Sequence, residues 1–382
     1  MKRNITILFA GDFAPGRRFE RLVLKKRPAI FGDLQPSIAS ADLSFLNLES
    51  PLCTGGKTTD KTGPNLKAAP ECAKAITAAG FDVAGLANNH IMDYGDTGLE
   101  ETMNACKGAG LAVCGAGKNQ DAAQQVSIIE RQGLKIAVIA VAEHEFSIAD
   151  VNQTGVAPLD PIDNLLQIES ARKIADLVFI TIHGGNEYFP LPRPGLRKLC
   201  RFYTTRGADA VICHHSHVPG AYEIYKGKPI VYSLGNLIFD HPKPPEGWNQ
   251  GYAVELTYNP SVKTLSGFDV LPYTQSVVQG GACRMEDPEN AAFLKKLEEY
   301  NRILGDESAY GQAWDRFCQK EKKMTFMKNY LPFHFRGMRK ISRFVNPGWF
   351  LVPTDNNRRV KLNMIRCESH LELLQNILQN RG

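Results

Sequence analysis

Short apolar runs rich in Val, Ile and Leu alternate with longer amphipathic stretches from the start of the chain to about residue 240, which restricts the fold to the α/β class. Residues 5–10, 43–48, 83–87, 135–142, 177–182, 210–213 and 230–234 read as buried strands, apolar on both sides as covered strands must be. Between them, 70–79, 98–108, 162–175 and 194–206 have helical length and an apolar stripe. Gly80, Gly110 and Gly207 stand where three of these helices turn out of their last carbonyls. Segments 252–257 and 264–271 follow without a helix between them and read as closing or edge strands. Pro, Gly and polar residues gather at 242–251 and 279–288, and after the second break the strand signal stops. The chain is therefore expected to divide into an α/β domain, 1–275, and a basic, mostly helical C-terminal extension, 276–382. Within the extension, 287–304, 309–330 and 362–380 read as helices, and 331–353 as an irregular stretch of aromatics set among Arg and Lys.

Charge separates the two parts. The whole chain carries 45 Lys and Arg against 40 Asp and Glu, too slight an excess to imply a nucleic-acid partner. Residues 320–382 hold 13 basic and 4 acidic residues, so a mildly acidic body carries a basic tail. Nine scattered cysteines without a Cys-x-x-Cys argue against a disulfide framework or a zinc ribbon and suit a reducing compartment. The apolar run after Met1-Lys2-Arg3-Asn4 meets Asp12 too soon for a signal-peptide core, and no run is long enough to span a membrane. A cytoplasmic location is expected, peripheral to the inner membrane face if residues 331–353 touch it.

Polar residues placed where buried strands stop carry the chemistry, because ligands of α/β sheets sit outside the carboxyl ends of the strands. The first strand runs into Gly11-Asp12, the second into Asn47-Leu48-Glu49 and the third into Asn88-Asn89-His90. Two later ones run into His183-Gly184-Gly185-Asn186-Glu187 and His214-His215-Ser216-His217. Five of the nine histidines stand at these ends, which scatter would not produce. Carboxylate, amide and imidazole without thiolate form a borderline-hard ligand set that suits one or two Mn²⁺, Fe, Zn²⁺ or Mg²⁺ ions. On an extended segment, His215 and His217 would face the same side.

These residues also carry a resemblance. Gly11-Asp12-Phe13-Ala14-Pro15-Gly16-Arg17, Asn47-Leu48-Glu49-Ser50-Pro51-Leu52, Ala87-Asn88-Asn89-His90, His183-Gly184-Gly185-Asn186-Glu187-Tyr188, Cys213-His214-His215-Ser216-His217 and Tyr232-Ser233-Leu234-Gly235-Asn236 occur in this order. Over about residues 4–270 the sequence resembles the CapA family of capsule and poly-γ-glutamate synthesis proteins, within the calcineurin-like metallophosphoesterases. The resemblance implies an αββα sandwich followed by a C-terminal helical extension. It implies metal ligands at Asp12, Glu49, Asn89, His183, His215 and His217, with His90 protonating a leaving group or steadying a phosphoryl oxygen. Two departures from the superfamily bear on the metal count: its first motif is Asp-x-His where this chain has Asp12-Phe13-Ala14, and the bridging acid is Glu49 rather than Asp. Gly184 replaces an aromatic and is expected to open the pocket wall.

Arg17, in the loop after the first strand, could clamp a phosphate or carboxylate, although Arg18 competes for that role. Glu187 could serve as a general base or as an outer partner of a ligand histidine. Asp93 is expected to orient His90, and Asn236 and Asp240 to hold the last loop. The expected activity is that of a metal-dependent hydrolase of phosphoesterase type. Its expected substrate is an anionic small molecule or polymer, and capsule synthesis and its machinery are implied by the resemblance. Two rival readings keep the same residues: a metal-dependent peptide epimerase or amide hydrolase, and a non-catalytic partner in a capsule synthase.

Overall fold

Along the strand Leu134–Ala142, Ile136, Val138, Ala140 and Ala142 enter one apolar core, while Ala137, Ile139 and Val141 enter another. The same parity recurs in Leu177–His183 and Ala210–His214, as strands buried on both faces require. The structure, a computed structural model describing residues 3–330 and 355–379, resolves this pattern into two facing sheets between helical layers. The first sheet runs in the order Gly281–Arg284, Thr264–Ser276, Gln250–Asn259, Ile5–Ala14, Leu43–Leu48, Val83–Gly85 and Ala112–Cys114. Asn236–Phe239 adds to the far end of Ile5–Ala14, in parallel. The second sheet runs Tyr222–Tyr225, Lys228–Val231, Ala210–His214, Leu177–His183, Leu134–Ala142 and Ser127–Arg131. Phe9 meets Phe45 and Phe179 at ring-centroid distances of 5.6 and 5.4 Å, and Phe179 meets Tyr258 at 5.7 Å, so aromatic packing joins the sheets. The helix–sheet–sheet–helix layering agrees with the expected sandwich.

Register then fixes the site. Asp12 lies opposite Asn47 on one side and Asn236 on the other, and His183 lies between Ala142 and His214. His183 and His214 share the parity of Phe179 and Ile212, which face the inter-sheet core. Gly11 lets the backbone close here: a Cβ at this position would stand 2.0 Å from the Gly235 carbonyl oxygen.

Three local expectations are corrected. The strand expected at 230–234 ends at Val231; the chain turns through Gly235, at φ 73°, and Asn236–Phe239 crosses to the other sheet. The break at 279–288 contains the edge strand Gly281–Arg284. The single terminal helix expected over 362–380 is two helices, Asp355–Arg366 and Glu368–Gln379, because the Ser369 N–H at the junction is taken by Glu143 (3.2 Å). Residues 331–353 lie outside the described part, and no helix among the described residues is long and apolar enough to cross a membrane.

The C-terminal helices share the cores of the body. Phe293 and Leu297 join the inter-sheet core, and Trp314, Cys318, Leu373 and Ile377 join the core on the outer face of the second sheet. A buried polar clasp adds to this packing. Arg193 Nη2 lies 2.9 Å from Glu143 and its Nη1 lies 2.5 Å from Glu372, while Ser369 donates to Glu143. Burial alone would raise the Glu143 carboxyl, but the Arg193 guanidinium and the Ser369 hydroxyl outweigh it and hold the group below its ordinary value of 4.5. A depressed carboxyl stabilises the fold above that value and loses the contribution as the pH falls through it. Arg193→Ala should therefore cost about 3–5 kcal/mol, the penalty of stranding a buried charge. Urea unfolding at pH 7 measures the loss, and the gap between wild type and variant should shrink as the pH is taken below 4.5.

Candidate metal centre

Glu49 sets the character of the site. It follows a fully buried strand and is itself 0 % exposed, yet neither carboxylate oxygen has a hydrogen-bond partner among the described residues. Burial, then the neighbouring Asp12 and Glu187, push its carboxyl well above the ordinary range. A buried carboxyl with no donor is costly, so its persistence calls for a cation that the described residues do not themselves supply.

Imidazoles surround it. His183 Nε2 lies 3.6 Å and His217 Nε2 3.7 Å from Glu49 Oε1. His183 Nε2 also lies 3.1 Å from Asn89 Oδ1 and from His215 Nδ1. Burial, followed by the crowding of His215, His214 and His217, holds His183 well below the ordinary histidine range, and burial lowers His217 as well. Both rings are therefore neutral at pH 7, the form with a lone pair to give a metal. Asp12 completes the set, 3.6 Å from His217 Nδ1. Burial would raise its carboxyl, but His214, His217 and Asn47 outweigh burial and keep it low. Two groups can each close on a cation: Asp12, Glu49 and His183, and Glu49, His215 and His217. Glu49 belongs to both.

The surrounding residues orient these ligand atoms. A carboxylate only accepts, so the 3.1 Å contact from Glu145 Oε1 must be to the Asn89 amide nitrogen, and that turns Asn89 Oδ1 inward. The Asn236 amide nitrogen donates to the His217 and Trp248 carbonyls (3.1 Å each), so its Oδ1 receives His217 Nδ1–H at 3.0 Å and leaves Nε2 facing Glu49. His215 and His217 arrive differently from the extended segment expected: their φ angles of 93° and 59° are left-handed, so a backbone twist, and not strand alternation, aims both rings at Glu49.

All six expected ligands are gathered here, and His90 stands beside Asn89, one of the six. Its Nδ1 lies 2.7 Å from Asp93, which the sequence had expected to orient it. At Glu187 partial enclosure by the mouth would raise the carboxyl, but His217, His215, His370 and His90 together outweigh it and lower the group. Arg17 is not brought into the cluster; it lines a groove with Glu20, Ser50, Asn65 and Lys67, while Arg18 binds Asp240 at 2.9 and 3.0 Å. Ala14, which stands at the last position of the expected Asp-x-His motif, packs with Leu66, Phe239 and Trp248 in an apolar wall. The expectation that Gly184 opens the pocket is corrected: a Cβ there would meet Glu143 Cγ at 2.6 Å, so the clasp already fills that space.

Sequence reasoning missed four participants. His214 Nδ1 lies 3.1 Å from Asp12 Oδ1, and strand parity from Ala210 and Ile212 would have found it. Asn47 donates to Asp12 at 2.8 Å, and its even placement beside Glu49 was also legible. Lys61, whose ammonium pairs with Asp93 and lies 3.0 Å from His90 Nδ1, reads in sequence as a solvated loop lysine. Glu145 gave no signal, because the strand before it stops at Ala142.

Residues 6–241 match the family described as bacterial capsule synthesis protein PGA_cap. The chain is 31% identical over 338 residues to a Bacillus anthracis protein named capsule biosynthesis protein CapA, covering 86% of this chain and 78% of that one. It is 34% identical over 249 residues to the Bacillus subtilis PGA biosynthesis protein CapA, covering 63% of this chain and 64% of the relative. Among solved structures, a phosphatase of Mycoplasma pneumoniae aligns over 76% of this chain and 98% of its own, with TM-score 0.49 and 16% identity.

A divalent cation at about 100 times its Kd should raise the unfolding free energy by about 2.7 kcal/mol per filled site. Differential scanning calorimetry with Mn²⁺, and again after chelation, measures this. Glu49→Gln should abolish the gain while leaving the metal-free protein at least as stable as wild type, since it removes an unpartnered buried carboxyl.

Proposed function

The chain belongs to the bacterial capsule synthesis protein family PGA_cap, and from that premise we propose that it is a metal-dependent hydrolase of phosphoesterase type serving surface-polymer synthesis. One observation carries the reading: a buried, unpartnered Glu49 shared between two groups of imidazole and carboxylate donors. Asp12, Glu49, Asn89, His183, His215 and His217 would hold one or two divalent ions. A divalent ion in such a site supplies Lewis acidity, acidifying water and polarising a phosphoryl oxygen.

The chain's own residues support the remaining steps. Asp93 and Lys61 engage Nδ1 of His90, so Nε2 is the nitrogen left to face a substrate. Burial and the adjacent Lys61 ammonium lower the His90 value, which makes its protonated form a strong acid toward a departing alkoxide. Asn47 and the His215 N–H (3.2 Å) fix both oxygens of Asp12, which keeps that carboxylate from rotating. The closely packed aromatic wall of Phe239 and Trp248 around His217 excludes water from one side. A cytoplasmic location and partnership with capsule-synthesis machinery belong to the same proposal.

The test uses the Mn²⁺-loaded protein and bis(p-nitrophenyl) phosphate. Wild type should release nitrophenolate; Asp12→Ala should lose both metal and activity. His90→Ala should retain metal by elemental analysis and lose about 10²–10⁴-fold in kcat. Metal binding without ester cleavage, together with deuterium uptake into a peptide from D₂O, would hand the site to the epimerase reading.

A further inference from the structure

The helices Asp355–Arg366 and Glu368–Gln379 reach the mouth of the site. Glu145, whose Oε1 holds Asn89 and lies 3.7 Å from His215 Nε2, extends its Oε2 to Asn363 Nδ2 at 3.5 Å. The same amide nitrogen lies 3.3 Å from His370 Nδ1. An amide N–H only donates, so His370 accepts at Nδ1 and carries its proton on Nε2. Asn363 is 7 % exposed and its Oδ1 has no partner among the described residues, an acceptor left open beside the mouth. Glu187 is set beside the ligands by the next residue, whose N–H, that of Tyr188, bonds at 2.8 Å to the carbonyl of Ser216, between His215 and His217. These positions are anchored: Ser369 and Glu372 sit in the Arg193 clasp, Arg359 pairs with Asp60, and the Arg366 guanidinium lies 3.5 Å from the Glu145 carbonyl.

Charge decides what this rim can receive. Among the described residues the nearby cations are engaged elsewhere: Lys61 with Asp93, Arg193 with Glu143 and Glu372, Arg359 with Asp60, and Arg366 with the Glu145 carbonyl. Once metal compensates Asp12 and Glu49, the carboxylates of Glu145 and Glu187 form no ion pair with a Lys or Arg among the described residues. Such a rim repels a second anion and accepts hydrogen bonds from a donor. We propose that the two C-terminal helices complete the substrate-binding rim, with Glu145, Glu187 and Asn363 receiving an ammonium or hydroxyl group carried next to the phosphoryl group held at the metal. His370 is a positioning residue that holds the Asn363 amide. The inference rests on the phosphoesterase reading and adds the chemistry of the substrate's other half.

Isothermal titration of the full-length, Mn²⁺-loaded protein with O-phosphoethanolamine and with inorganic phosphate tests it. Wild type should bind the amine-bearing ester about fivefold more tightly, what one such hydrogen bond supplies. Each saturated with Mn²⁺, Glu187→Gln and Asn363→Leu should each reduce that preference to within about twofold, and His370→Gln, less buried, repeats the measurement if Asn363→Leu fails to fold. Equal affinity of wild type for the two probes, or a preference that survives both Glu187→Gln and a rim-helix variant, overturns the inference. A wild type that takes up no Mn²⁺ or binds neither probe overturns the phosphoesterase reading itself, and the rim proposal with it.

Discussion

Two sheets held face to face by Phe9, Phe45, Phe179 and Tyr258 must bring the carboxyl ends of their parallel strands to a shared rim, and the rest of the molecule follows from that constraint. Asp12 and Asn47 come from one sheet, and His183 and His214 from the other. No short stretch of chain could assemble such a set. The aromatic packing also removes water from the cluster, so that each carboxylate and imidazole there feels its neighbours through a poorly screening medium. The opposed shifts of Asp12 and Glu49 arise in this way: two acids side by side, one surrounded by donors and one with none.

The polar surroundings divide into groups that are satisfied within the protein and groups that are not. Asp93 has Lys61 and His90, Glu143 has Arg193 and Ser369, and Asp240 has Arg18. Glu49 alone among the buried carboxylates of the cluster has both oxygens open. In a well-packed protein such an orphan is retained only where something outside the chain answers it. This asymmetry, more than the number of histidines, points to a cation at that place.

The C-terminal helices change the meaning of the basic tail. Counted along the chain, residues 320–382 are simply a basic, mostly helical tail. In the fold, Arg359 and Arg366 are turned to body groups, and the helix pair brings an amide, an imidazole and acidic neighbours to the mouth. Docking depends on a clasp between residues nearly 180 positions apart or more, Arg193 and Glu143 with Ser369 and Glu372. Charge counted along the chain says nothing of such pairings.

Much of this is legible in the sequence, because strands and their ends are written locally. Period-two burial and apolar runs located the strands, and Asp12, Glu49, Asn89, His90, His183 and His217 were visible as polar residues where those runs stop. Where local reasoning went astray, longer-range contacts had overridden it. His215 and His217 were assigned to an extended segment, but packing against the other sheet forces left-handed backbone at both. Gly184 looked like an opening, whereas Glu143, from a neighbouring strand end, had already taken the space. Lys61, Glu145 and Asn363 could not be found at all, since nothing in a loop lysine, a glutamate past a strand or a helical asparagine shows what it will meet. Sequence alone determined which chemistry the chain can carry, through the residue types it sets at strand ends. Only the tertiary structure decided which of those groups remain unpartnered and what closes over them, because both depend on contacts between residues brought together by folding.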